Sequence, residues 1–289
     1  MLKKMLILGG DLRLLTVADE FIKDGFCVSV YGIDSKYFEA SYNTYGDVKE
    51  AISDNDIIIF GLPLSKDNIT VSTPCFDEKI YLNDLYDNLK NKIILGGMIT
   101  DKFKNKALIY NKVYDYYLRE ELIIKNVIPT VEGALSIAIS ETPFTLNGAK
   151  CLVCGFGRIG KMLSYSLKAL GADVTVSARK PEDFAWIECF SYKGILTNRI
   201  CEEADKYDII FNTVPCNILK EEAISKISKE CIIIDLASKP GGVDFACANK
   251  YGVKVIWALS LPGKIAPRTA GRIIKTTILN ILSELEGKK

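Results

Sequence analysis

Six residues, Gly155-Phe156-Gly157-Arg158-Ile159-Gly160, constrain the fold of this chain most strongly because of what flanks them. Residues 151–154 before them form a short apolar run, which predicts a buried strand. Residues 161–170 after them predict a helix that ends at Gly171. A G-x-G-x-x-G pattern between a strand and a helix is typical of a dinucleotide-binding βα turn. We therefore expect a doubly wound α/β domain with a ligand at this turn.

Each glycine has a physical role in that prediction. Gly155 permits the tight turn, Gly157 lets the backbone approach a pyrophosphate, and Gly160 allows close packing of helix and strand. The amides at the helix start offer donors and positive potential to the anion. We predict that all six residues, including Phe156, Arg158 and Ile159, bind the cofactor. An ordinary glycine-rich turn without a ligand is the alternative.

Strand, glycine turn and helix recur in both halves of the chain. The predicted strands lie at 4–10, 27–31, 57–60, 93–95, 151–154, 174–176, 209–211, 232–234 and 253–256, with an amphipathic helix over 12–23. This alternation predicts an α/β protein with two Rossmann-like, doubly wound parallel-sheet domains and an interdomain cleft. We expect a substrate domain over 1–130 plus the C-terminal helix 269–289, and a dinucleotide-binding Rossmann domain over 131–268. A helix over 131–140 follows the bridge at 128–130.

The composition does not favour nucleic acid or a membrane as a partner. Lys and Arg number 37 against 36 Asp and Glu, which gives no electrostatic reason to expect nucleic acid or an anionic membrane. No run approaches the roughly 18 apolar residues of a membrane helix, and the apolar run near the N-terminus is too brief for a signal peptide. We expect a cytoplasmic protein.

Histidine is absent from the sequence, which excludes every mechanism that needs an imidazole base or a histidine-ligated metal. The nine cysteines are scattered and fit free thiols in a reducing compartment. Cys151 and Cys154 form a C-x-x-C on a predicted strand, where they point to opposite faces. We therefore predict no metal site.

Residues after the second strand of the C-terminal half indicate which dinucleotide binds. An NAD site places a carboxylate there, whereas this chain has Ser177, Arg179 and Lys180, with no carboxylate before Glu182. A serine hydroxyl and two cations suit a 2′-phosphate, so NADP is favoured and NAD is the alternative. The cofactor-binding set also includes residues that follow later strands, namely Thr213, Val214, Pro215 and Asp235.

Several motifs, in order and spread over most of the chain, resemble those of the family of dipicolinate synthase A subunits. The motifs are Gly9-Gly10-Asp11-Leu12-Arg13, Ile128-Pro129-Thr130-Val131-Glu132-Gly133, the glycine fingerprint that starts at Gly155, Asp235-Leu236-Ala237-Ser238-Lys239-Pro240-Gly241-Gly242, and the segment that starts at Leu261-Pro262-Gly263-Lys264. The family usually has Arg where Lys239 stands, which weakens a bidentate carboxylate clamp at that position.

The resemblance implies a function in spore-forming bacteria. Members act in the cytoplasm of the mother cell during sporulation, with a flavoprotein-like B subunit of dipicolinate synthase. They make dipicolinate by oxidising a dihydrodipicolinate-type intermediate of lysine biosynthesis, and the hydride passes to the nicotinamide. Aromatisation drives this reaction, so no strong base is required, and a chain without histidine suits it.

A dicarboxylate substrate needs cations and polar donors, for which the sequence offers five candidates. Glu132 and Lys239 are the predicted catalytic residues, and Arg13, Arg119 and Thr130 are the predicted substrate-binding residues. Each has a structural alternative. Arg13 and Arg119 can form ion pairs, Glu132 can complete a helix cap with Thr130, and Asp235 can pair with Lys239.

Two further functions stay open at this point. One is a related two-domain dehydrogenase acting on an amino or hydroxy acid, although such enzymes usually rely on histidine. The other is a regulatory protein that binds NADP(H) without turnover. The assembly is also open, including a homo-oligomer.

Overall fold

The computed structural model describes residues 3–287, and the chain divides into two compact units. The first unit runs to Asn126 and resumes at Pro262, and the second is Val127–Leu261. The divisions fall a few residues before the expected ones at 130 and 268. The first of these differences arises because helix α5 (Val127–Glu141) already begins at Val127, so the expected bridge at 128–130 is its first turn.

The first unit contains a five-stranded parallel sheet of order β2-β1-β3-β4-β5. Alternate residues of each central strand enter two different apolar clusters, so both faces of the sheet are covered. Its elements are β1 (Met5–Leu8), α1 (Leu12–Lys23), β2 (Val28–Tyr31), α2 (Val48–Ser53), β3 (Ile57–Phe60), β4 (Ile93–Gly96), α3 (Asp101–Ala107), β5 (Lys112–Asp115), α4 (Glu120–Lys125) and α11 (Pro267–Leu285).

Helix α11 belongs to the first unit because its apolar face packs on α1. Ile274 and Ile278 join Leu14 and Phe21 in one buried cluster. The helices approach so closely that a Cβ at Gly271 would lie 2.5 Å from the carbonyl oxygen of Arg13. This contact fixes the C-terminal helix on the sheet formed by the N-terminal strands.

The second unit contains a six-stranded parallel sheet of order β11-β10-β9-β6-β7-β8. The order reverses between β6 and β9, and such a switch point is where doubly wound sheets bind ligands. Its elements are α5, β6 (Lys150–Cys154), α6 (Arg158–Ala169), β7 (Asp173–Ala178), α7 (Pro181–Cys189), β8 (Lys193–Leu196), β9 (Ile209–Asn212), α8 (Glu221–Ile224), β10 (Ile232–Asp235), α9 (Phe245–Tyr251), β11 (Lys254–Trp257) and α10 (Leu261–Ile265), which crosses the division.

Cys151 and Cys154 confirm the strand geometry expected for the C-x-x-C. Cys151 packs in the cluster on one face of the sheet, and Cys154 in the cluster on the other. Two thiols on opposite faces of a strand cannot share one metal ion.

The helical stretch Glu120–Glu141 is apolar enough, with a mean hydropathy of 1.5, to pass a membrane-span test by length and composition alone. Core helices of soluble proteins pass the same test. In this chain the apolar residues Val127, Val131, Ala134 and Ala138 of α5 are buried in the core of the second unit. The burial of these side chains accounts for part of the high hydropathy of this stretch.

Candidate nucleotide-binding site

The glycine loop after β6 has the geometry that the sequence predicts for a pyrophosphate cradle. Gly155 has a φ of +94°, and a Cβ there would lie 2.7 Å from the Oγ1 of Thr213. Gly160 packs so tightly that a Cβ would lie 2.1 Å from the carbonyl oxygen of Gly155. A Cβ at Gly157, in contrast, meets nothing within 4 Å. Two glycines are thus required by the fold, and the third leaves open space.

The N-terminus of α6 adjoins that open space. Gly157 is the N-cap and has no side chain to bond the first helical amides. Gly157 and Arg158 are both exposed. The uncapped amides and the helix dipole suit an anion, so these residues fit the pyrophosphate of a dinucleotide.

The other two residues of the fingerprint serve mainly to anchor the loop. Phe156 is 4% exposed and packs in the core of the second unit, edge-on to Tyr192. Ile159 is half-buried against the same cluster. The side chains of Phe156 and Ile159 therefore hold the loop in place, and only their backbone groups are available to bind a cofactor.

The loop after β9 contacts the glycine loop. The Thr213 hydroxyl donates to the Cys154 carbonyl oxygen at 2.8 Å. Val214 is half-buried, with its side chain 2.8 Å from where a Cβ of Gly155 would lie, and Pro215 is exposed. These residues form one wall of the switch point between β6 and β9.

Asp235 organises the neighbouring loop and does not face a ligand. Its carboxylate is fully buried and accepts hydrogen bonds from the Asn212 side chain at 2.7 Å, the Ala237 amide at 3.0 Å and the Gly242 amide at 2.9 Å. Because both carboxylate oxygens are occupied by donors within the fold, we correct its predicted role from cofactor binding to loop positioning. The salt link between Asp235 and Lys239, which the sequence left open as an alternative, does not form among residues 3–287.

Lys239 stands at the tip of the loop that Asp235 holds. Residues Ser238, Lys239 and Pro240 are exposed, and Gly241 donates to the Ser238 carbonyl oxygen at 2.8 Å to close the turn. The indole of Trp257 donates to Ala237 at 2.9 Å and fixes the base of the loop. Lys239 is thus an exposed ammonium group on a hydrogen-bonded turn at the carboxyl edge of the sheet.

The prediction for Ser177 is wrong because this residue is fully buried within the sheet. Successive residues of β7 point to opposite faces, and Ser177 lies on the Cys154 side, in the core. Its hydroxyl cannot reach a phosphate in solvent. Lys180 and Glu182 are both 67% exposed and lie 3.6 Å apart, so the charge of Lys180 is partly satisfied.

Arg179 lines a surface groove of about 500 Å³ in the second unit. One wall comes from the ends of β7 and β8, with Arg179, Leu196 and Asn198, and the other from the segment after β9, with Asn217, Ile218 and Lys220. The volume falls in the usual range of ligand pockets, roughly 300–1,000 Å³. The sequence pattern predicts Arg179 as a cofactor-binding residue but does not identify Lys220, because Lys220 belongs to no recognised motif.

Arg13 does not present its charge to a ligand. Its Nε and Nη2 donate to the two carboxylate oxygens of Asp11 at 2.8 and 2.7 Å, and Nη2 also donates to the Leu62 carbonyl oxygen. Burial opposes the charged form, but Asp11 outweighs it and raises the pKa of Arg13. Arg13 thus forms an ion pair within the protein, and we withdraw it from the predicted substrate-binding residues.

The turn after β1 also differs from a nucleotide site. Asp11 is the N-cap of α1 and accepts a hydrogen bond from the Arg13 amide. Its carboxylate therefore occupies the position at which a nucleotide site would bind a phosphate. A Cβ at Gly61 would lie 2.6 Å from Cα of Gly10. The switch point of the first sheet is therefore filled by the chain itself.

Arg119 is likewise bound within the first unit. Its guanidinium donates to Glu284 at 2.8 and 2.6 Å and to Glu121 at 2.9 Å. The hydrogen bonds to Glu284 raise the pKa of Arg119 further above its usual range. Two carboxylates already neutralise this cation, so its predicted role in substrate binding is also withdrawn.

Thr130 and Glu132 lie inside α5 and not at its start, so they cannot form the capping box. Thr130 is half-buried. Glu132 is exposed and shares a surface depression with Ile139 and Leu170, the residue that follows α6. The catalytic role of Glu132 stays a prediction.

Comparison with known proteins agrees with this geometry. The model described as the N-terminal domain of the dipicolinate synthase A subunit matches residues 4–116. The model described as S-adenosyl-L-homocysteine hydrolase, NAD binding domain, matches residues 132–260. The second match covers the glycine loop, both walls of the groove and the loop held by Asp235.

Two of the similar proteins cover nearly the whole chain, and a third covers about half of it. The dipicolinate synthase A subunit of Bacillus subtilis (strain 168) is 31% identical over 296 residues, which cover 99% of this chain and 98% of that protein. The crystal structure of the dipicolinate synthase A chain from Bacillus subtilis matches with a TM-score of 0.88 and 30% sequence identity. The match covers 100% of this chain and 98% of that chain. Shikimate dehydrogenase (NADP(+)) of Clostridium botulinum (strain Hall) is 34% identical over 176 residues, which cover 55% of this chain and 67% of that protein.

The two parallel sheets and the glycine loop, with a matching NAD binding domain, define a nicotinamide dinucleotide-binding α/β protein of the dehydrogenase type. The full-length identity to the Bacillus subtilis relative narrows that class. The chain belongs to the family of dipicolinate synthase A subunits.

Proposed function

We propose that this chain oxidises a dihydrodipicolinate-type dicarboxylate to dipicolinate, with NADP⁺ as the oxidant. The reaction consumes the dihydropyridine and NADP⁺ and yields dipicolinate, NADPH and one proton. The observation that carries the proposal is the open, uncapped start of α6 at Gly157, in a chain related over its full length to the A subunit of dipicolinate synthase. A bound nicotinamide supplies the hydride acceptor.

The chain's own residues have modest tasks in this reaction. The amides at the start of α6 bind the pyrophosphate, and the loops that carry Thr213 and Lys239 border the same carboxyl edge of the sheet. We propose that Lys239 attracts a substrate carboxylate, since its ammonium group is exposed on a fixed turn. Aromatisation of the ring favours loss of the proton, so a chain that lacks histidine can support it.

NADP is the proposed coenzyme because of the residue at the end of β7. Arg179 lines the groove and follows β7, whose Ser177 carbonyl oxygen accepts from the Gly155 amide at 2.9 Å. An NAD site would place a carboxylate at the end of this strand. A guanidinium attracts a 2′-phosphate and offers less to a bare ribose hydroxyl. NAD remains the alternative coenzyme.

The cellular setting follows from the family. We propose that the protein acts in the cytoplasm of the mother cell during sporulation, together with the flavoprotein-like B subunit of dipicolinate synthase. A homo-oligomer is compatible with this proposal.

A coupled assay tests the function. Purified chain is mixed with NADP⁺ and the freshly generated lysine-pathway intermediate, with and without the flavoprotein-like subunit. NADPH is followed by absorbance and dipicolinate by terbium luminescence. We expect both products in equal amounts, above the rate of spontaneous oxidation without protein. Saturable NADPH binding without turnover in either arm would overturn the proposal and favour a regulatory protein.

A further inference from the structure

The groove that Arg179 lines also has a cation on its other wall, Lys220, which lies outside the glycine fingerprint. Lys220 reaches it from the segment between β9 and α8, whereas Arg179 reaches it from the end of β7. We propose that Lys220 contacts the 2′-phosphate of NADP(H) together with Arg179 and determines coenzyme specificity. This inference rests on the proposed function, since it assumes a dinucleotide at the start of α6.

The topology places the adenosine end of a dinucleotide in this groove. The pyrophosphate lies at the turn after β6, and the strands next to β6 on one side are β7 and β8. The carboxyl ends of those two strands provide Arg179 and Leu196, and Ile218 lies on the facing wall. Apolar side chains on two walls suit a flat base, and the cations at the rim suit a phosphate.

The charges at the rim are available for a ligand. Among residues 3–287, neither Arg179 nor Lys220 forms an ion pair, whereas Lys180 lies 3.6 Å from Glu182 and does not line the groove. One carboxylate, that of Glu222, also lines the groove. Two cations against one carboxylate leave a net positive rim, and Asn198 and Asn217 add neutral polar groups.

Two cations from separate chain segments make a more selective phosphate site than one. A 2′-phosphate carries nearly two negative charges and several acceptor oxygens, so it gains from both Arg179 and Lys220. The 2′-hydroxyl of NADH carries no charge and gains little from either. Loss of Lys220 should therefore weaken NADPH binding selectively and leave NADH binding almost unchanged.

The substitution Lys220→Met tests this with little risk to the fold. It keeps an unbranched side chain of similar length, and Lys220 makes no side-chain cap bond to α8. Lys220→Arg keeps the charge, and Lys229→Met removes an exposed lysine elsewhere in the same unit. Arg179→Met provides the comparison for the cation that the sequence pattern identifies.

The measurement is the dissociation constant of the full chain for NADPH, NADH and 2′,5′-ADP at two salt concentrations. Lys220→Met should weaken NADPH and 2′,5′-ADP about tenfold, the order expected for one charge-assisted contact. It should change NADH less than about twofold, and it should flatten the salt dependence for NADPH. Lys220→Arg should restore NADPH affinity, and Lys229→Met should match the wild type.

Two results overturn the inference and leave the proposed function intact. One is an equal loss of NADPH and NADH affinity in Lys220→Met, and the other is no change in either. A wild-type protein that binds neither coenzyme contradicts the proposed function itself. The binding measurements need no turnover, so the two failures are distinguishable.

Discussion

The carboxylate of Asp235 accepts a hydrogen bond from the side-chain amide of Asn212, with 2.7 Å between Oδ1 and Nδ2. Asn212 in turn bonds both backbone groups of Val214, at 3.0 Å to the carbonyl oxygen and 3.1 Å from the amide. The pair therefore links the loop after β9 to the loop after β10. A Cβ at Gly242 would lie 2.2 Å from the Asn212 amide nitrogen, so the two loops touch at this point.

Asp235→Asn should destabilise the protein because it replaces one acceptor oxygen with a donor. Whichever way the new amide turns, an N–H group faces the Gly242 amide or the Asn212 and Ala237 donors. An unsatisfied buried donor costs about 1–3 kcal/mol. Thermal unfolding should show a midpoint several degrees lower, whereas Asp205→Asn, at an exposed position, should leave it unchanged. An unaltered midpoint for Asp235→Asn would contradict the positioning role.

Gly160→Ala should damage the glycine loop itself. The new methyl group would stand 2.1 Å from the carbonyl oxygen of Gly155, so the loop or the start of α6 must shift. We expect lower thermal stability together with weaker NADPH binding. Gly46→Ala serves as the control, because a Cβ at Gly46 meets nothing within 4 Å. If Gly160→Ala retained the stability and affinity of the wild type, the close approach of α6 to the loop would be refuted.

Arg13→Ala should lower stability without affecting the coenzyme. It removes a guanidinium whose side chain is 12% exposed and leaves Asp11 without its partner. Because the pair is only partly buried, its loss should cost about 1.5–3 kcal/mol, the value of a hydrogen bond to a charged group. Urea unfolding measures the loss, and Arg13→Lys should recover only part of it, because a lysine cannot bond both oxygens and Leu62. Unchanged stability together with a higher apparent Michaelis constant for the substrate would contradict this structural role of Arg13.

The buried thiols should make stability fall at high pH. Burial raises the pKa of Cys151, Cys154 and Cys231 to about 12, from an ordinary 9.0. The folded state therefore binds these protons more tightly than the unfolded state. Their contribution is complete below pH 9 and is lost as pH rises toward 12. Urea unfolding across this range should show the decline, and a flat profile would contradict it.

Thiol reactivity offers a simpler check of the same burial. Cys27, Cys189 and Cys216 are exposed, and all nine cysteines are free. We expect these three to react quickly with a thiol reagent in the native protein. Cys151, Cys154 and Cys231 should react only after unfolding, and rapid labelling of any of them would show that their surroundings differ from those described.

Much of the fold was predictable because buried parallel strands are continuous apolar runs. Strands β1, β3, β6, β9 and β10 were all located from such runs. Strands β5 and β8 were missed because they are edge strands with exposed residues and carry no apolar pattern. The sequence does not show the full extent of α5, because Pro129 is typical of a bridge between domains and is also tolerated in the first turn of a helix.

The site was predictable where backbone geometry determines residue type. Gly155 and Gly160 could be assigned because a side chain at either position collides with the chain. The charged residues were harder to assign, since the sequence does not show which carboxylate lies near Arg13 or Arg119. Ser177 could not be placed from the sequence because both faces of β7 are covered, and residues 174–178 are all buried.

The most direct test of the account is titration of the Gly157→Val variant with NADPH, beside the wild type and a Gly46→Val control. Both positions have open space around a Cβ, so both variants should fold with wild-type stability. We predict saturable binding by the wild type and the control, and none by Gly157→Val, whose side chain fills the space for the pyrophosphate. Undiminished NADPH affinity in a folded Gly157→Val protein would contradict the claim that the coenzyme sits on the amides at the start of α6.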